Sequence, residues 1–200
     1  MKSQTLIAIA SVAVLLTACI PSVNPYFTEK DVVFDPSLLG TWGNPGDPKE
    51  NWRFEAADNK AYMFSVSEDD GKTGSFEARL FMIKGQRFLD IVPTDAKLRG
   101  DQAELVGASL IPGHLLIRIR EIEPTLKADF FDWDWLKKHL EENPKALRHR
   151  KNGDCIVLLA ESHELQRFVL RHLNDGELFK VENPEVGMSR LTNAPATPGK

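Results

Sequence analysis

The chain has 200 residues, 42% of them hydrophobic and 27% charged, which describes one ordinary globular domain and excludes a disordered, collagen-like or coiled-coil chain. With 25 Lys+Arg against 29 Asp+Glu the formal charge is −4, spread without a basic footprint, which argues against a nucleic-acid partner. Two cysteines are too few for a disulfide framework.

The elements begin with an export signal. Met1-Lys2-Ser3-Gln4 is a short, positively charged start, and Leu6 to Leu16 is an apolar run of eleven residues. A bilayer core of ~30 Å needs ~20 apolar residues in a helix, so the run is too short to span one and reads instead as a cleavable signal. It ends in Leu16-Thr17-Ala18-Cys19. These residues resemble the lipobox of bacterial lipoproteins, in which the cysteine thiol receives a diacylglyceryl group, the peptide is cut before it and the new amino group is acylated. The resemblance implies that residues 1–18 are removed and that Cys19 is the lipidated first residue, the membrane being a partner through this lipid. Each buried methylene contributes ~0.8 kcal/mol, so one acyl chain holds marginally and two or three hold firmly. The resemblance further implies a bacterial cell envelope. By analogy with enteric lipoproteins, Ile20 favours the outer over the inner membrane, because an Asp there tends to retain the protein. Without residues 1–18, 24 basic residues face 29 acidic ones.

Residues 19–36 read as the lipidated cysteine and a tether, since Pro21, Pro25 and Pro36 oppose regular structure. A single globular domain is expected over residues 37–192. Its opening Gly40-Thr41-Trp42 resembles the G-x-W of lipocalins and related small barrels, where the Trp plugs the closed end with its ring while its N–H finds a carbonyl. The other lipocalin elements, a T-D-Y turn and an Arg on the last strand, are not evident. Next comes period-two alternation. Trp52, Phe54 and Ala56 alternate with Arg53 and Glu55; Tyr62, Phe64 and Val66 with Met63 and Ser65; Phe76, Ala78, Leu80 and Met82 with Glu77, Arg79 and Phe81. Turn residues separate these runs, so Asn51 to Pro93 predicts a meander of hairpins. Leu115 to Ile122 predicts another strand, whereas Ala103 to Leu110 reads equally as a strand or a short helix.

Helices are expected after the sheet. Asp132 to Glu142 carries Trp135, Leu136 and Leu140 on one stripe, and a second helical piece is predicted over Pro144 to Arg150, with Pro in its first turn. Cys155 to Ala160 reads as a buried strand that shelters the remaining free thiol. Ser162 resembles an N-cap for a helix bearing Leu165, Phe168, Val169, His172 and Leu173 on one face. Met188 to Thr192 suggests a last short strand, and residues 193–200 a tail. The expected class is therefore α+β: an antiparallel meander or partly open barrel over about residues 38–123, followed by two or three helices and one or two further short strands.

Chemistry is sparsely signalled. Phe130-Phe131-Asp132-Trp133-Asp134-Trp135 is the densest aromatic and acidic cluster. Phe131 and Trp135 suit a core, the two aspartates suit a helix start, and Trp133, off the apolar stripe, is the one expected to be exposed for binding. Histidines 114, 139, 149, 163 and 172 share no metal-ligand spacing, and no nucleophile elbow, dinucleotide fingerprint or phosphate loop occurs. No catalytic, metal or cofactor residues are assigned. Candidate ligand-binding side chains are Trp42, Trp52, Tyr62 and Trp133. The functional expectation is a non-catalytic, lipid-anchored envelope protein binding a protein or glycan partner. The alternatives are a calycin-like carrier of a small hydrophobic ligand and an envelope hydrolase.

Overall fold

The computed structural model describes residues 20–69, 71–94, 113–152, 155–173, 178–180 and 187–191. Cys19, the stretch 95–112 that includes Ala103 to Leu110, and the tail from 192 lie outside them. Seven strands follow in order: β1 Gly40–Asn44, β2 Asp47–Ala56, β3 Ala61–Ser67, β4 Thr73–Ile83, β5 Gln86–Pro93, β6 Leu115–Glu121 and β7 Thr125–Phe131. Then come helix α1 Trp133–Glu142, the hairpin of β8 His149–Asn152 and β9 Cys155–Leu158, helix α2 Ser162–His172, and the short strands β10 Phe179–Lys180 and β11 Met188–Arg190.

Strands β1 to β6 pair antiparallel with their neighbours in sequence, as the alternation predicts. The meander does not stay open. β7 pairs with β6 on one side and with β11 on the other, and β11 pairs with β1 through Trp42 and Arg190, so eight strands close into an antiparallel barrel. β10 adds a short ladder to the far part of β7, Phe179 opposite Phe131. The sequence reading places the main sheet over about residues 38–123, and β7, Thr125–Phe131, lies just beyond it.

Period two places one set of side chains inside the barrel. Trp42, Trp52 and Val66 stand opposite one another across β1, β2 and β3, as do Phe54, Phe64 and Phe76 across β2, β3 and β4. With Leu80, Leu89, Ile117 and Ile119 they form one buried cluster. Its rings interlock, with Phe54 stacked on Phe64 at 4.5 Å and Trp52 edge-on to Phe64 at 5.2 Å.

A second core lies outside the barrel wall. Phe81, Ile83, Phe88, Leu116 and Phe131 point outward and are covered by Leu136 and Leu140 of α1 and by Leu165, Phe168 and Val169 of α2. β4 to β7 are thus apolar on both faces, which is why Leu80-Phe81 and Phe88-Leu89 break strict alternation.

The supposed tether belongs to this outer layer. Ile20, Tyr26, Phe27 and Val32 are buried in it. Ser22 exchanges backbone hydrogen bonds with His114, and Val23 donates to the Leu158 carbonyl at 3.0 Å. The prolines prevent helix and ladder but not packing, because the segment's backbone finds partners one at a time. The helix expected over Pro144 to Arg150 is also absent. Residues 144–147 turn and His149–Asn152 is a strand paired with β9, so cross-strand pairing overrides the helix propensity of Ala146-Leu147-Arg148. At α2 the N-cap is Glu161 rather than Ser162, with the Glu161 amide donating to Glu164 Oε2 at 2.9 Å. Among the described residues no helix is long and apolar enough to cross a membrane.

Candidate functional site

The barrel interior is the natural place to look, and its two ends differ. One end is capped. The chain enters β1 through a 3-10 turn, Pro36–Leu38, whose Asp35 carboxylate accepts from the Ser37 amide at 3.0 Å. Trp42 is fully buried beneath this turn, and its Nε1–H donates to the Leu38 carbonyl at 2.9 Å. Arg190, on β11, lies over the Trp42 ring with its guanidinium carbon 4.3 Å from the ring centre. Its Nη1 donates to the Leu39 carbonyl, and its Nη2 donates to Ser37 O at 2.7 Å and to Glu123 Oε1 at 2.9 Å. Gly40 has φ +117°, and a Cβ there would stand 2.7 Å from the Arg190 guanidinium. The positive φ favours glycine, and a side chain there would also displace the end of Arg190 from the turn.

This corrects the sequence reading at one point. An Arg on the last strand does accompany the G-x-W, and it went unnoticed because a lone Arg in a short strand carries no pattern.

Tyr62 reinforces the same end. Its hydroxyl accepts from the Asp35 amide at 2.8 Å and donates to the Asp35 carbonyl at 3.1 Å. Burial, with the Asp35 charge nearby, raises its pKa above the usual tyrosine value against the opposing effect of the Asp35 backbone hydrogen bond, so the phenol keeps its proton. Phe34 stacks on its ring at 4.9 Å.

The far end, where the β1–β2 and β3–β4 turns lie and β5 finishes, is less tightly closed. Trp52, Val66 and Phe76 are each 5% exposed and Ile91 6%, whereas Leu38, Trp42, Tyr62 and Leu80 show 0%. The structure brings Trp42, Trp52 and Tyr62 into one interior cluster, with the first two at the ladder partner positions of β1 and β2.

Trp133 is not with them. It sits on the other side of the wall, 8% exposed, with its ring 4.9 Å from that of Phe131. The expectation that it is exposed for binding fails because the α1 axis turns residues 133, 136 and 140 toward the barrel, and Trp135 moves to the half-buried flank. Asp132 caps this helix, its Oδ1 accepting from the Trp135 amide at 2.9 Å.

Two buried carboxylates in the wall carry no sequence signal, because each is paired with residues distant in the chain or on another strand. Asp129 is buried on β7 and accepts from Arg120 Nε on β6 at 2.8 Å. Buried Asp90 accepts from the Tyr26 amide at 2.8 Å and faces His114 Nδ1 at 2.7 Å, which pins the N-terminal segment to β5. Burial, with the Asp90 charge, pushes the Tyr26 phenol well above its ordinary value. His139 and His172 meet across α1 and α2 with rings 4.8 Å apart, but among the described residues no group of three metal-ligating side chains forms.

A scan of protein families finds no matching model, and searches of curated proteins and of solved structures find no match. The barrel is closed, antiparallel and compatible with a calycin-like fold.

Proposed function

We propose that the protein is a lipid-anchored component of a bacterial cell envelope, without a catalytic centre, whose calycin-like barrel takes a small apolar ligand at the end opposite Trp42. One observation supports the ligand reading: the sheet closes into an antiparallel barrel, and Trp42 and Arg190 seal one of its ends. Trp52, Val66, Phe76 and Ile91 would line the entry, supplying apolar and aromatic surface with few polar groups to fix orientation. The reading of a protein or glycan partner loses its best residue with the burial of Trp133. The hydrolase reading draws no support from Asp90 and His114, which are occupied in holding Tyr26. The anchor rests on Leu16-Thr17-Ala18-Cys19, and the membrane, preferentially the outer one, follows from it.

Titration with an apolar naphthylamine dye, followed by energy transfer from tryptophan, tests the ligand site. Saturable binding is expected. Val66→Trp, which fills the far end, is expected to weaken it at least tenfold, while Met63→Trp on the outside leaves it unchanged. Absence of saturable binding, or equal effects of the two variants, overturns the carrier reading. The anchor is tested separately by labelled palmitate, expected on the native chain and lost with Cys19→Ala. No label on the native chain, or label retained on the variant, defeats it.

A further inference from the structure

A groove runs between the segment 144–148 and helix α2. Its volume is about 570 Å³. It continues into a second hollow of about 560 Å³ that shares Pro144, Lys145, Ala146 and Arg171 and reaches His139 and His172.

Cations line the groove from both sides. Arg167 and Arg171 stand four residues apart on α2, hence on one helix face, and both are exposed. Lys145 and Arg148 come from the opposite side. Arg148 is held in place: its Nε and Nη2 donate to the Leu159 carbonyl at 2.9 and 2.6 Å, and Nη2 reaches Glu161 Oε1 at 3.2 Å. Glu164, the carboxylate of the lining, is turned to the helix start, where it accepts from the Glu161 amide. The floor is apolar, with Phe168 and Leu147 buried. The groove lining holds four cations, Lys145, Arg148, Arg167 and Arg171, against one carboxylate, Glu164, in a chain whose overall formal charge is −4.

Like charges four residues apart on a helix repel, and the repulsion is relieved when an anion sits between them. Two guanidinium forks with an ammonium opposite match an anion with several non-bridging oxygens arranged tetrahedrally, which a phosphate offers and a single carboxylate does not. We propose that this groove binds a phosphate ester, with Arg167 and Arg171 chelating its oxygens, Lys145 closing from the other side, and Phe168 and Leu147 taking the adjoining carbon skeleton. The ester is either a soluble phosphorylated molecule or the headgroup of an anionic phospholipid. The inference rests on the outer layer alone and is independent of what the barrel holds.

The test uses the full chain carrying Cys19→Ala, so that no acyl anchor contributes. Glycerol 3-phosphate is one probe, and vesicles of phosphatidylglycerol, compared with phosphatidylcholine, are the other. Arg167→Gln/Arg171→Gln is compared with Lys49→Gln/Arg53→Gln, which removes the same charge from the barrel surface. Saturable binding of glycerol 3-phosphate, weakened at least fivefold only by the first pair, supports the groove with a soluble source. Binding to phosphatidylglycerol vesicles without binding to glycerol 3-phosphate, weakened at least fivefold only by the first pair, supports it with a headgroup source. Binding to neither probe, or equal loss in both variant pairs, overturns the proposal.

Discussion

Arg190 does three jobs with one side chain: it covers the Trp42 ring, donates to the 3-10 turn, and ties β11 to Glu123. A cation over an indole contributes ~0.5–2 kcal/mol and each hydrogen bond ~0.5–1.5 kcal/mol, with partial exposure reducing both. Arg190→Ala is accordingly expected to cost about 1–3 kcal/mol, read as a lower urea midpoint in tryptophan emission; an unchanged midpoint contradicts the capping role. The glycine of the motif was legible because a three-residue pattern names it. The arginine was not, since its partners lie 151 and 153 positions earlier in the chain. Asp31 offers a pH-dependent counterpart. Burial pushes its carboxyl up, but hydrogen bonds from the Thr28 side chain, Gln166 and the Thr28 amide, helped by the Lys30 charge, outweigh this and leave it below the ordinary value. A depressed carboxyl contributes stability above its unfolded pKa of about 4 and loses it as pH falls through the lower folded value. The stability difference between the native chain and Asp31→Asn is therefore expected to be constant near neutrality and to shrink below about pH 4, measured by denaturation at a series of pH values. A difference that grows on acidification contradicts this assignment.

At the scale of elements, α1 shows how a helical stripe can be read correctly but for its first residue. Trp135, Leu136 and Leu140 share a face by spacing, yet Trp133, Leu136 and Leu140 are the residues that meet the wall, because Asp132 starts the helix directly after β7 and fixes its rotation. Trp133→Ala is expected to cost ~3–5 kcal/mol as a core truncation and to leave dye binding by the refolded protein unaltered. A loss of binding without loss of stability would restore Trp133 as a site residue. β7 itself alternates Leu126, Ala128 and Phe130 with Lys127 and Asp129, so its period was present in the sequence, whereas the burial of Asp129 against Arg120 of β6 was not. The N-terminal segment was misread for a related reason. Ile20, Tyr26, Phe27 and Val32 recur with no period, so neither the helix nor the strand template finds them, and their burial depends on a layer formed far later in the chain.

For the whole molecule, the barrel wall separates two cores that share strands β4 to β7. Removing either the interior packing or the helical layer strips one face of the same strands, so neither core has an independent support. We expect the amides of β4, β5 and β6 to exchange with solvent only through global unfolding, and those of the β8–β9 hairpin to exchange faster through local opening. Exchange mass spectrometry checks this; protection of β4 that survives opening of the helical layer would contradict it. The hairpin meander of this architecture was visible from alternation alone. Its closure was not, because closure depends on one strand of three residues near the chain's end.

That strand gives the barrel a late keystone. Until Met188–Arg190 is in place, β1 and the start of β7 each present an unpaired edge, and the segment that joins them is separated from β1 by most of the chain. Closing so long a loop is slow, since the loop entropy is spent before the contact returns any of it. A chain whose β11 is unpaired would expose both edges to strand addition by another copy, so deletion of Met188–Arg190 is expected to promote aggregation, measured by light scattering. Three residues thus cover two strand edges at once, a protection out of proportion to the strand's length.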